Sequence, residues 1–170
     1  VFLQSQLQWS YVQVGSMMAA WVMAYGVVQT LAPKVTNTGN KDTNITHPSG
    51  STAFKWAVLL CLIPAAIGAT LYAAGSDPSL LAVVLVTGLM IFGAFFAINS
   101  SIHSYLIVAY AREDGTSLDV GFYYMCNAAG RLVGTLLSGL VYQQFGLTAC
   151  LLLSSLMLVA TAAISKKLPA

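Results

Sequence analysis

The chain alternates long apolar runs with short polar interruptions. A helix needs about 20 largely apolar residues to cross a bilayer. Five runs reach that length, at about 11–32, 55–74, 80–111, 120–142 and 147–164, and the opening 1–6 reads as the tail of a sixth helix. The pattern predicts an all-α integral membrane protein, a bundle of six helices with the first one truncated. The polar stretch 34–54 predicts a flexible loop, 75–79 a tight turn, 112–119 a charged connection and 143–146 a short uncharged one. The 80–111 run is too long for a straight crossing. At 1.5 Å per residue it reaches about 48 Å, against about 30 Å of hydrocarbon. It must therefore tilt, emerge from the membrane, or bend, and the Asn99-Ser100-Ser101 side chains suit a bend.

Composition strengthens the membrane reading. The 170 residues are 58% hydrophobic and 7% charged, whereas a soluble domain carries about 25% charged residues. Charge becomes informative once it is placed. Lys34, Lys41, Lys55, Arg112, Lys166 and Lys167 all fall on one side of the predicted membrane, and no Lys or Arg falls on the other. The excess of cations marks the cytoplasmic side. The reading is a multi-pass protein of the cell (inner) membrane, with 34–54, 112–119 and the C-terminus cytoplasmic. On that side Asn44-Ile45-Thr46 is a chance match to a glycosylation acceptor. The chain opens on Val1 without a charged leader, so it reads as the C-terminal part of a longer protein.

One residue breaks the apolar pattern. Arg131 sits near the middle of the 120–142 run, about 16 Å from its cytoplasmic end. A guanidinium keeps its charge, and desolvating it costs kilocalories even after snorkelling. At 100° per residue, Tyr124, Asn127, Arg131, Thr135, Ser138 and Tyr142 fall within about 40° of one line. Lipid cannot satisfy such a stripe, so it faces protein or water. No acidic residue lies within the apolar runs to neutralise Arg131. Two readings follow: a cationic centre for an anion in a transport cavity, or a structural arginine held by carbonyls or by an acid elsewhere. Gly130, Gly134 and Ser138 form a small-residue ladder that suits close helix packing.

Two further faces carry polar groups. Phe92, Phe96, Asn99, His103 and Tyr110 share one face of the 80–111 run. His103 lies at a depth close to that of Asn127 and Arg131, and either binds substrate or protons, or bonds to a neighbouring helix. Trp21, Tyr25 and Gln29 share a face of the 11–32 run, with packing or binding as the alternatives. The three cysteines, Cys61, Cys126 and Cys150, are scattered in apolar runs and suggest neither zinc nor a disulfide framework. No phosphate loop, carboxylate pair or nucleophile–base arrangement is present. The expectation is a non-enzyme without metal, cofactor or nucleic-acid partner.

Six helices with inside loops after the second and fourth resemble the C-terminal half of a major facilitator superfamily transporter. Two stretches sharpen the likeness. Trp21-Val-Met-Ala-Tyr-Gly-Val-Val-Gln-Thr-Leu-Ala-Pro-Lys34 and Ser117-Leu-Asp-Val-Gly-Phe-Tyr-Tyr-Met-Cys-Asn-Ala-Ala-Gly-Arg-Leu-Val-Gly-Thr-Leu-Leu-Ser-Gly-Leu-Val-Tyr142 resemble the organoarsenical efflux permeases of the ArsJ type. The resemblance runs over most of the chain, apart from the 35–50 loop. It implies secondary active export of 1-arseno-3-phosphoglycerate in arsenate resistance. It also implies a functional link to the glyceraldehyde-3-phosphate dehydrogenase that makes that compound, and a partner in the missing N-terminal half. It assigns no binding residues. Arg131, Asn127, Tyr124, His103, Asn99, Tyr25 and Gln29 are candidates from the stripes alone, with protons as a candidate coupling ion. The alternatives are a facilitator transporter of another organic anion or drug, and a helical assembly module that transports nothing.

Overall fold

The computed structural model describes residues 2–36, 48–74 and 77–168. Their ordered elements are all helical. They are α1 (Phe2–Ser5), α2 (Tyr11–Thr36), α3 (Gly50–Ala74), α4 (Pro78–Tyr110), a 3-10 turn (Glu113–Gly115) and α5 (Thr116–Ser165). Four helices are long and apolar enough to cross a membrane. Large apolar side chains such as Met23, Leu62, Val83 and Leu132 lie exposed. So much bare apolar surface is compatible with a membrane protein.

The boundaries differ from the sequence pattern in physically readable ways. α2 runs past Pro33 to Thr36, whose hydroxyl donates to the Ala32 carbonyl at 2.9 Å. A proline so near the end removes little of the ladder. The opening helix is short, ending at Ser5. α3 starts earlier than its apolar run because Ser49 begins it: its carbonyl accepts from the Thr52 and Ala53 amides at 3.0 and 3.1 Å. α4 is one helix over 33 residues with no break at Asn99-Ser100-Ser101. The last two expected helices form a single helical stretch. Only Gly146 departs from helical geometry there, at φ 78° and ψ −172°. One glycine thus replaces the four-residue connection, because only a residue without a Cβ adopts that region freely. The arms 116–145 and 147–165 meet across this break, with the Cys150 thiol donating to the Ser138 carbonyl at 3.4 Å. The parts of the expected loops at 37–47 and 75–76 lie outside the described residues.

Asp77 caps α4. Its carboxylate accepts from the Ser79 amide and hydroxyl at 3.0 and 2.7 Å, and from the Leu80 amide at 3.4 Å. Pro78 occupies the first turn, where its missing N–H costs nothing. These bonds, the Ser79 hydroxyl first, hold the Asp77 carboxyl below its usual range. A depressed folded pKa means that the cap contributes fully above about 3.9, the ordinary aspartate value. The contribution disappears as pH falls through the lower folded value. Amide exchange at Ser79 and Leu80 is therefore expected to accelerate, relative to mid-helix α4, only below about pH 4. Unchanged protection at pH 3 would contradict it.

α3 is the central element and packs against both α4 and α5. At one end Leu3, Ile67, Leu71 and Leu85 form a buried cluster. At the other, Ala53, Ile102 and Leu106 form a second, covered by Trp56, Tyr105 and Leu168. The second arm of α5 runs antiparallel to α3, with Leu151 over Gly68 and the Ser155 hydroxyl donating to the Cys61 carbonyl at 3.1 Å.

α2 joins the bundle through α4. The Trp21 indole donates to the Leu89 carbonyl at 2.8 Å. Gly93 makes room for it, since a Cβ there would lie 2.6 Å from the indole nitrogen. A rigid, tethered ring has little room to retreat. Gly93→Ala is expected to displace Trp21 and destabilise the bundle by about 1–3 kcal/mol. Trp21→Phe keeps the packing and loses only the bond, about 0.5–1.5 kcal/mol. Denaturant unfolding of both variants in detergent would show this order; the reverse order would refute the tight-contact account.

Candidate functional site

Tyr124, Asn127, Arg131, Thr135 and Ser138 are all exposed along the first arm of α5. The Thr135 hydroxyl bonds to the Arg131 carbonyl one turn back and to Leu132 at 3.2 Å. That hydroxyl is therefore satisfied within its own helix, as mid-helix threonines often are. The guanidinium has no such local solution. Among the described residues the one ion pair is Arg112–Asp119, at 2.8 Å, and Arg131 takes no part in it. Gly121, Gly130, Gly134 and Gly139 have no atom within 4 Å of where a Cβ would sit. The first arm thus turns both its cation and its small residues to open space. Gly134 and Ser138 also line a 220 Å³ crevice against Cys150, Ser154 and Met157 of the second arm.

A second set of candidates gathers between α2 and α4. Trp21 stacks on Tyr25 at 5.8 Å between ring centroids, Tyr25 meets Phe96 at 5.9 Å, and Phe96 stacks on Phe92 at 5.8 Å. This aromatic ladder leads down α4 to Asn99 and His103. The His103 Nδ1 lies 2.9 Å from the Asn99 carbonyl oxygen. A carbonyl only accepts, so Nδ1 carries the proton and Nε2 is left to accept or, when protonated, to donate. Asn99 is 7% exposed, and its side-chain oxygen has no hydrogen-bond partner. An orphan buried acceptor costs about 1–3 kcal/mol, which a donor from water or ligand would recover. Gln29 is half-buried one turn below Tyr25. The parallel register set by Trp21 on Gly93 and Tyr25 on Phe96 puts it level with Ser100.

The two sets are neighbours rather than one constellation. Tyr25 is near enough to Tyr123 of α5 for the two phenols to interact electrostatically, yet α5 packs mainly on α3 and only slightly on α4. The structure places Tyr25 beside Phe96 and His103 beside Asn99. It records no contact between Arg131 and any of them.

Sequence reasoning missed three positions. The Trp21–Leu89 anchor was hidden because a backbone carbonyl carries no sequence signal. Gly146 was read as part of a connection, although a single glycine between two apolar runs could have flagged the break. The Arg112–Asp119 pair closes the charged connection: Nε and the Arg112 amide reach the Asp119 carboxylate at 3.2 and 3.1 Å, besides the 2.8 Å bridge. Opposite charges seven residues apart around Gly115 were the available clue. No group of three or more His, Cys, Asp or Glu suited to a metal occurs among the described residues. No family model matches the chain, and neither does any curated protein or solved structure.

Proposed function

We propose that this chain forms one helical half of a secondary transporter that exports an anionic organoarsenical, 1-arseno-3-phosphoglycerate, in arsenate resistance. The observation that carries the reading is Arg131: an exposed guanidinium, outside any described ion pair, in the middle of an apolar helix. A permanent cation at that position calls for an anion, and its planar fork matches phosphate and arsenate oxygens bidentately. The substrate identity is supported by the resemblance of 21–34 and 117–142 to organoarsenical permeases. Pentavalent arsenic esters need no thiolate, which accords with Cys61, Cys126 and Cys150 remaining free. On this reading the polar stripe of the first α5 arm faces a wet central passage. Tyr25, Gln29, Asn99 and His103 line its α2–α4 wall, and His103 Nε2 is the candidate proton carrier. Alternating access would move this half against a second one around a site near mid-membrane.

Expression of the full-length gene with its dehydrogenase in an arsenate-sensitive host tests the proposal. The expected result is resistance that depends on both genes, with arsenate-derived ester appearing outside the cells. Resistance to unrelated organic anions or drugs, without arsenate resistance, would favour the other facilitator reading. The open glycines of the first α5 arm favour the assembly alternative to one extent only: a helix surface this bare must meet another helix.

A further inference from the structure

The lysines at the helix ends do more than mark a side of the membrane. We propose that Lys55, Lys166 and Lys167 form a headgroup site for an anionic membrane phospholipid, at the end of α3 and the second arm of α5. The inference rests on the membrane reading alone and not on transport.

The packing brings the three together. Leu151 covers Gly68, Ser155 bonds to Cys61, and Leu168 packs on the cluster of Ala53, Ile102 and Leu106. This antiparallel register sets Lys55 level with Lys166. The chain end is held in place there, with Ala162 and Ser165 5% and 3% exposed and the Lys166 amide bonded to the Ala162 carbonyl at 3.1 Å. The lysine side chains themselves are exposed. None has an ion-pair partner among the described residues, where Arg112–Asp119 is the one salt bridge. Three neighbouring ammonium groups without a carboxylate repel one another, and a bound anion relieves that repulsion.

The surroundings select a lipid over a free oxyanion. Trp56 and Tyr105 flank the same cluster, and such rings settle at the headgroup level of a bilayer. Leu59 and Leu62 lie one and two turns from Lys55 and are 46% and 58% exposed, while Ile164 beside Lys166 is 67% exposed. Charge at the helix end with bare apolar surface below it matches a phosphate head and its acyl chains. A soluble phosphate would leave that apolar surface uncovered.

The test uses the intact chain in nanodiscs, where the two leaflets are identical and direction of insertion has no effect. Wild type is expected to retain phosphatidylglycerol over phosphatidylcholine when native mass spectrometry counts bound lipids at equal mole fractions. The preference should fall about fivefold per lysine removed in K55Q and in K166Q/K167Q. It should persist in K55R/K166R/K167R and weaken with salt. If the triple glutamine variant does not fold, K55Q alone decides. Undiminished phosphatidylglycerol retention in the glutamine variants overturns the site. So does equal retention of both lipids by wild type. A thermal shift produced as well by inorganic phosphate in neutral nanodiscs would assign the patch to a soluble anion and also overturn it. Arg131 is untouched in every variant, so failure here leaves the transport proposal standing, and the reverse.

Discussion

Arg131→Ala abolishes arsenate resistance while leaving the protein in the membrane at wild-type level. That is the expected result if the guanidinium binds the exported anion. Each charge-assisted hydrogen bond contributes about 1.5–3 kcal/mol, so losing a bidentate grip should lower export by ten- to several-hundredfold. Arg131→Lys keeps the charge and loses the fork, and should fall between the two. Everted vesicles loaded with the ester give the rates, and quantitative immunoblots of membranes give the protein level. The structural alternative predicts a different outcome. An arginine that ties helices together would, on truncation, reduce accumulation first and leave the rate per folded molecule unchanged. Full resistance in Arg131→Ala at normal protein level would remove the basis of the proposed site.

Gly146→Val should be the most damaging single change to the fold outside the core. Gly146 alone allows α5 to double back, at φ 78° and ψ −172°. A β-branched side chain in that region costs about 1–3 kcal/mol and competes with continuation of the helix. No atom lies within 4 Å of the position its Cβ would occupy, so the penalty is conformational and not a clash. Opening the turn would strip the second arm from α3, taking the Ser155–Cys61 bond and the Leu151–Gly68 contact with it. Gly130→Ala is the control. Gly130 is helical and equally open, so alanine there should be neutral or stabilising by up to about 1 kcal/mol in the isolated chain. Unfolding midpoints in detergent should separate the two variants clearly. Equal midpoints would show that the turn does not depend on glycine.

Much of the architecture is legible in the apolar pattern. Runs of about 20 apolar residues can bury their backbone polar groups in lipid only as helices, and four helices of that kind are present. Helix ends are less legible because they depend on caps. Ser49 and Asp77 extend α3 and α4 beyond their apolar runs, and Pro33 does not stop α2. The candidate residues are legible as stripes, since side-chain direction follows from helical periodicity. Their partners are not. His103 turns to the Asn99 carbonyl and Trp21 to the Leu89 carbonyl, and backbone acceptors leave no trace in the order of side chains.

By itself the sequence determined that helices form, which faces of them are polar, and that Arg131 has no acid in its own apolar segments to neutralise it. Those are consequences of local periodicity and of the cost of unsatisfied groups in hydrocarbon. Only the tertiary structure decided that α3 is the hub, that Gly93 admits Trp21 between α2 and α4, and that Leu168 returns the chain end to Ala53. Such outcomes depend on which surfaces meet across distances of tens of residues. The energies that choose among them come from shape complementarity between helices and not from the pattern along any one of them.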